Sequence, residues 1–336
     1  MPTIYDIAKK TGFSITTVSK VLNNYTDVSE KTKKTILKAV EEMGYFPSSY
    51  AQTLTTKKSW TLGVIFVESL GVGIKHPFFS AVIESFKQQV EKVGYDLLFV
   101  SNHLGDQKKS YLNHFQQRGV DGVIVVCTTK NHAEVEKIME SSLPTVVIDE
   151  SSTKTNVIYS DNLQGSELAV DYLHGLGHRK IAHIYGHQDT FAGAERLRGF
   201  REVVKKRDLL IPSSYIVDGG FFSIDGGKKA METLLALPEP PTAVYVAGDL
   251  MALGAIHAVK EQDLTVPNDI SIIGFDDIEI VKHTEPTLTT IRQNTDLLGK
   301  EAADLLLNQI KNNEKEFQEI VVPVEIVERR SCGPMK

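Results

Sequence analysis

The sequence predicts an α/β protein: an N-terminal three-helix unit with a helix-turn-helix, a hinge, and a two-lobed body on parallel sheets. Three observations predict this. Residues 1–46 carry three short helical patterns, each with its own start and stop signals. A linker containing Pro47 ends them. From Trp60 onward, apolar β-rich runs alternate with amphipathic helical stretches in two successive series, as in parallel sheets covered on both faces. With 336 residues, 41% of them hydrophobic, the chain has material for more than one core.

Thr3 can cap the first helix, with Asp6 as its capping-box partner three residues on. Ile4, Ile7 and Ala8 share one face, and Gly12 permits a sharp turn. Ser14 can cap a second helix whose inner face carries Val18, Val21 and Leu22. Thr16, Lys20 and Asn23 project from the opposite face. Slim, hydrogen-bonding or cationic residues in front of an apolar back suit a helix that enters the DNA major groove. By spacing alone, the same pattern also fits an ordinary helical hairpin. Ser29 can cap a third helix striped by Ile36, Leu37 and Val40 and stopped by Gly44. Past Pro47, Ser48 or Ser49 can cap one short turn ending near Leu54. A turn so short is marginal in isolation, so 47–58 reads either as a plain linker or as a hinge that orders when something stabilises it.

Charge separates the two parts. Net charge is −6, yet nine lysines face five acids up to Lys58, giving +4 there and −10 in the remainder. A basic head on an acidic body fits DNA binding confined to the head.

In the body, strands are expected at 62–67, 96–100, 122–126 and 145–148, with helices at 78–93, 106–117 and 133–140. The second series has strands near 181–185, 215–217, 243–246 and 270–273. Its helices lie near 163–176, 195–206, 225–237 and 251–260. A further helix at 296–310 follows LTTIRQ at 288–293. Ligands of open parallel sheets bind at the carboxyl ends of strands, which two lobes turn toward a shared cleft. Asp149 and Asp276 each fall just past a strand. Arg196 begins a helix, and Phe221 and Phe222 follow a Gly-Gly turn. Two carboxylates, a guanidinium and an aromatic wall suit a polyol or sugar, whose hydroxyls pair with charges while its C–H face stacks on a ring. Phe78 and Phe79 fit either a pocket wall or a helix staple. Asp249 reads as an N-cap, and Asp161 and Asn162 as structural.

Enzyme patterns are lacking: there is no GxxxxGK, GxSxG or HExxH, and the glycines of GLGHRK follow a helix. Ten histidines are scattered, and His183 and His187 read as structural or solvent-facing. Cys127 and Cys332 give neither a disulfide framework nor a metal cluster. No cofactor, metal or membrane partner is expected. The N-terminus lacks a secretory pattern, so a cytoplasmic protein is expected.

TIYDIAKKTGFSITTVSKVLN at 3–23 and VSEKTKKTILKAVEEMGYFPSSYAQTL at 28–54 resemble the headpiece and hinge of the lactose-repressor (LacI/GalR) family. HPFF at 76–79, RGVDG at 118–122, LGHRKIA at 176–182, RLRGF at 196–200, GDLMALGA at 248–255 and SIIGFDD at 271–277 extend the resemblance over almost the whole chain. The resemblance implies a homodimeric transcription regulator, most simply a repressor, on a near-palindromic double-stranded operator. It implies a periplasmic-binding-protein-like body over 59–336 that crosses between lobes three times. The N-lobe then takes about 60–160 and 293–322, and the C-lobe about 161–292 and 323–336. No leucine-heptad tail follows Arg330.

For DNA, Thr16 and Lys20 are expected at base edges and Ile15 at a thymine methyl. Thr3, Tyr5, Ser14, Thr17 and Ser19 complete the N-terminal part of that surface, with Asn23, Ser29 and Tyr45 beyond it. Ser48 and Ala51 belong to the expected hinge, with Leu54 as a minor-groove wedge; Gln52 stands where most members have arginine. The family carries effector contacts at positions matching Arg196 and Asp276, and often Asp149 and Phe221. Gly248 stands where many members have asparagine. The small-molecule effector is expected to be a sugar. Members that bind a purine place an arginine shortly before RLRGF, and 188–191 contains none. The stretch 68–75 is longer than usual and is expected to form an enlarged loop beside the cleft.

Overall fold

The computed structural model describes residues 2–23, 25–45, 58–67, 73–100, 103–104, 107–108, 110–312 and 316–335. The chain divides into two compact units, one of residues 1–61 with 119–121 and one of the rest.

In the first unit, Thr3 and Asp6 form the expected capping box before α1 (Ile4–Thr11). Gly12 ends it in the left-handed region at φ 72°. The side chain of Ser14 caps α2 (Ile15–Leu22), and that of Ser29 caps α3 (Glu30–Met43). Ile7, Val18, Val21, Ile36 and Tyr45 pack as the buried core. Leu37 corrects the sequence reading, because it is half exposed. The buried stripe of α3 runs through Ile36 and Ala39, with Val40 and Met43 partly buried against the core. That i, i+3, i+4, i+7 row leaves Leu37 about a quarter-turn off the face.

The second unit holds two six-stranded sheets. The first contains β1 (Thr61–Phe66), β2 (Asp96–Phe99), β5 (Gly122–Cys127), β6 (Thr145–Ile148), β7 (Asn156–Ser160) and β13 (Glu319–Val322), in the order β13-β7-β6-β5-β1-β2. The second contains β8 (Ile181–Tyr185), β9 (Ile216–Asp218), β10 (Ala243–Val246), β11 (Ser271–Asp276), β12 (Thr289–Arg292) and β14 (Glu325–Val327), in the order β14-β12-β11-β10-β8-β9. β14 joins antiparallel, while β8, β9, β10, β11 and β12 pair in parallel. The chain therefore passes between the sheets after β7, after β12 and after β13. The covering helices are α4 (Pro77–Val90), α5 (Tyr111–Arg118), α6 (Ala133–Met139), α7 (Asn162–Gly175), α8 (Phe191–Lys206), α9 (Ile224–Leu235), α10 (Asp249–Glu261) and α11 (Thr295–Asn312). Among the described residues no helix is long and apolar enough to cross a membrane.

Two expected helices change. The one read at 106–117 is α5, and upstream of it β4 (Gln107–Lys108) pairs antiparallel with β3 (His103–Leu104). The helix read from 195 is α8, which starts at Phe191 because Thr190 caps it by accepting from the amide of Gly193. Arg196 thus lies in the second turn rather than at the start. Part of the expected loop at 68–75 lies outside the described residues; its end, Gly73–Lys75, is a 3-10 turn.

Candidate effector cavity and DNA-reading surface

The cleft cavity is built where strands end. Asp149 follows β6 with φ 53°, and Asp276 closes β11 with φ 123°. Phe222 has φ 48° after the Gly219-Gly220 turn. Non-glycine residues in this region are strained, and here three of them meet at one cavity. Its wall includes Phe78 and Phe79 from the first turn of α4, then Asp149, Arg196, Phe221, Phe222 and Asp276. Seven of the eight expected effector residues therefore share one space. About 40 Å³ inside this wall is open to water.

Gly248 stands behind the wall. A Cβ there would meet the Phe222 ring at 3.0 Å and an Asp276 carboxyl oxygen at 3.6 Å. The ring of Phe222 also needs Gly186, where a Cβ would lie 2.3 Å from it. The space an asparagine would take is thus filled by phenylalanine. Phe221 leans on His187, their rings stacked at 3.8 Å.

Arg196 is 2% exposed. Its Nε donates to Asn162 Oδ1 at 2.8 Å and its Nη1 to the Ala247 carbonyl at 2.6 Å. Nη1 lies 3.6 Å from Asp276 Oδ1, and the guanidinium sits 3.6 Å from the centre of the Phe275 ring. Asp276 also accepts from Gln293 Nε2 at 2.7 Å. Burial pushes the Asp276 carboxyl up to about 6, against the pull of Arg196 and Gln293. Burial also lifts Asp149 to about 6, with Arg196 opposing and Asp276 and Glu150 adding. Burial, helped by Arg196, lowers His76 to about 4 and keeps it neutral. Asp149 Oδ1, His76 Nδ1 and Gln293 Oε1 are buried without a hydrogen-bond partner, leaving polar atoms unused at the cavity.

Asp249 is a correction. The N-cap of α10 is Gly248, and Asp249 is the first helical residue, fully buried. It accepts from Thr290 Oγ1 at 2.6 Å and from the Ile278 amide at 2.9 Å, which ties α10 to β12 and the turn after β11. Burial, and then Asp276, raises its pKa. Asp161 caps α7 as expected. His183 is buried and its ring packs against both Phe200 and Tyr245.

Sequence reasoning missed His76, Thr128, Thr190, Phe191 and Gln293 as cavity residues. His76 and Gln293 sit in the quoted HPFF and LTTIRQ stretches, and Thr128 follows the end of β5; strand ends were the available signal. Cys127 also lines the cavity, its thiol pushed up to about 12 by burial and by Asp149. Among the described residues no cluster could hold a metal.

On the headpiece, Thr16 is exposed on the face of α2 opposite buried Val18 and Val21, and Ile15 is exposed at the helix start. Lys20 lies on that face too, its Nζ 2.5 Å from Asp27 Oδ2. Tyr5 is 67% exposed. Ser14 and Thr17 join through their hydroxyls, and Asn23 turns back to the Ser19 carbonyl. Thr3 and Ser29 are exposed caps, while Tyr45 is 9% exposed and packs in the headpiece core. Ser48, Ala51 and Leu54 lie outside the described residues.

Residues 3–48 match the pattern of bacterial regulatory proteins of the lacI family, and residues 170–332 match a periplasmic binding protein-like domain. The HTH-type transcriptional repressor PurR of Klebsiella pneumoniae (strain 342) is 36% identical over 339 residues, spanning 99% of this chain and 97% of that protein. A lac repressor dimer bound to operator and the anti-inducer ONPF superposes with a TM-score of 0.85 at 28% identity, covering 98% of both chains. A transcriptional regulator CelR–cellobiose complex superposes with a TM-score of 0.73 at 27% identity, covering 98% of this chain and 100% of that one. With its helix-turn-helix unit, its ligand-binding body and relatives that are repressors and not enzymes, the chain belongs to the lacI family of DNA-binding transcriptional repressors.

Proposed function

We propose that this repressor acts as a homodimer on a near-palindromic operator upstream of carbohydrate-utilisation genes, under the control of a sugar bound in the cleft cavity. The chain divides in this reading into a DNA-binding headpiece at 1–46, a hinge at 47–58 and an effector body at 59–336. One observation carries the sugar: two carboxylates, buried Asp276 and half-buried Asp149, share a phenylalanine-walled cavity with the buried guanidinium of Arg196. Sugar hydroxyls donate to the carboxylates and accept from the guanidinium, and the C–H face covers a ring. The likeness to a regulator solved with cellobiose supports the same reading. The segment before α8 gives no cation for a purine: Gln188 is spent on the Gly186 and Gly193 carbonyls, and Thr190 on its cap.

The test is a thermal-shift screen of the full chain against pentoses, hexoses, disaccharides and nucleobases. The best hit is then titrated by calorimetry into Asp276→Ala and Arg196→Ala. Each variant is expected to lose at least tenfold in affinity, since a hydrogen bond to a charged group contributes about 1.5–3 kcal/mol. Operator binding without effector is expected to stay near wild type. Near wild-type affinity in both variants overturns the site, and a nucleobase as the only hit overturns the sugar.

A further inference from the structure

Two charged groups of the cavity are each tied to a place where the chain passes between the sheets. Asp276 accepts from Gln293, the first residue after β12. Arg196 donates to Asn162, the first residue of α7 after the passage that follows β7. Gln293 also lines the cavity, so its loss would remove a wall as well as a link. Asn162 is not part of the wall and is 2% exposed.

The two ends of the Asn162 amide do different things. Oδ1 accepts from Arg196 Nε at 2.8 Å, and Nδ2 donates to the carbonyl of Ser160 at 3.0 Å. Ser160 is the last residue of β7 in the first sheet, while Arg196 rides on α8 against the second. A flipped amide would set oxygen against oxygen and NH₂ against guanidinium, so the orientation is chemically forced. One turn on in α7, Ser166 Oγ lies 3.0 Å from both the Arg196 and the Asn162 carbonyls, a second tie between the two helices. The same segment is fixed to the third passage: the Asp161 amide donates to the Val322 carbonyl at 2.8 Å, and the Val324 amide to Gln164 Oε1 at 3.2 Å.

We propose that Asn162 is the positioning residue that couples the cavity to the lobe crossings, passing displacement of Arg196 on to the end of β7. This rests on the cavity being the effector site. A ligand shifts an equilibrium only through contacts that differ between states, and a guanidinium bonded to both ligand and crossing is such a contact. Asparagine is needed because aspartate would keep the acceptor for Arg196 but lose the donor to Ser160, and alanine would lose both.

The test compares the full-length wild type with Asn162→Asp and Asn162→Ala, using an operator fragment selected from randomised DNA. The probes are D-ribose, D-glucose and cellobiose, each measured by calorimetry for affinity and by anisotropy for its effect on operator binding. Asn162→Asp is expected to bind the active probe within about threefold of wild type, while the ratio of operator affinities with and without probe collapses toward 1 from a typical 5–150. Loss of a merely structural residue would lower melting temperature and probe affinity but leave that ratio unchanged. ¹⁵N spectra give a ligand-free readout: the slowly exchanging Arg196 Nε–H signal is expected to persist in Asn162→Asp and vanish in Asn162→Ala. Should Asn162→Asp fail to fold, Asn162→Ala supplies the ratio. A wild-type ratio in a folded variant overturns the proposal alone. If no probe binds the wild type, the effector reading fails and the proposal falls with it.

Discussion

Asp149 and Asp276 set the pH behaviour of the cavity. Both have carboxyls raised to about 6, first by burial, against an unfolded value near 4. The groups that face Asp149 are Arg196, which opposes the rise, and Asp276 and Glu150, which add to it; Cys127 and His76 stay uncharged near neutrality. A raised folded pKa means that stability from the protonated carboxyl is complete below about 4 and lost as pH rises through about 6. Asp149→Asn is therefore expected to gain stability relative to wild type between pH 4 and 6, read from denaturant midpoints at several pH values. A ligand that donates hydroxyls to these carboxylates prefers them ionised, so its affinity is expected to rise through pH 6 with proton release. Calorimetry in buffers of different ionisation enthalpy reads that release; a flat profile contradicts the contact. On the headpiece, Lys20 pairs with Asp27, and the base-edge contact we propose exchanges that pairing for DNA. Both side chains are about half exposed, so the exchange costs little. Lys20→Ala is expected to relax specificity at one operator position, a loss of about 1–3 kcal/mol of discrimination. Selection on randomised DNA that returns an unchanged preference rules the contact out.

Elements differ in how clearly the sequence announced them. The headpiece helices were legible to the residue because caps are local: Thr3, Ser14 and Ser29 each bond an amide three residues on. Central strands such as Thr145–Ile148 and Ile181–Tyr185 were legible as apolar runs. β13 and β14 were not, being short, carrying glutamates and lying at sheet edges. The two carboxylates were legible as chemistry at strand ends and Arg196 through the RLRGF resemblance, whereas the Phe222 slot between Gly186 and Gly248 depends on residues far apart in sequence that only folding joins. Gly165 shows the same limit. A Cβ there would lie 2.5 Å from the fully buried Phe275 ring, on which Arg196 rests. Gly165→Ala is expected to cost about 1–3 kcal/mol by overpacking and to weaken effector binding by displacing the ring. An unchanged denaturant midpoint would show that α7 yields instead.

At the scale of the whole molecule, charge divides the labour. The +4 of the residues up to Lys58 favours phosphate contact, while the −10 of the remainder opposes nonspecific DNA binding by the body. A headpiece with so modest a charge needs help to hold an operator, and the Leu54 segment is the source we propose. An apolar side chain wedged between base steps unstacks them and kinks the duplex, opening more surface to the protein. Leu54→Ala removes the proposed wedge and leaves every core and cavity residue unchanged, so melting temperature and effector affinity are expected to stay at wild type. Operator affinity and DNA bending are expected to fall together, because both come from the same insertion. The salt dependence of binding is expected to keep its slope, since no charge is lost. A circular-permutation gel assay reads the bend directly. Equal bending by wild type and Leu54→Ala, with affinity lowered, would assign Leu54 to dimer packing rather than to the groove.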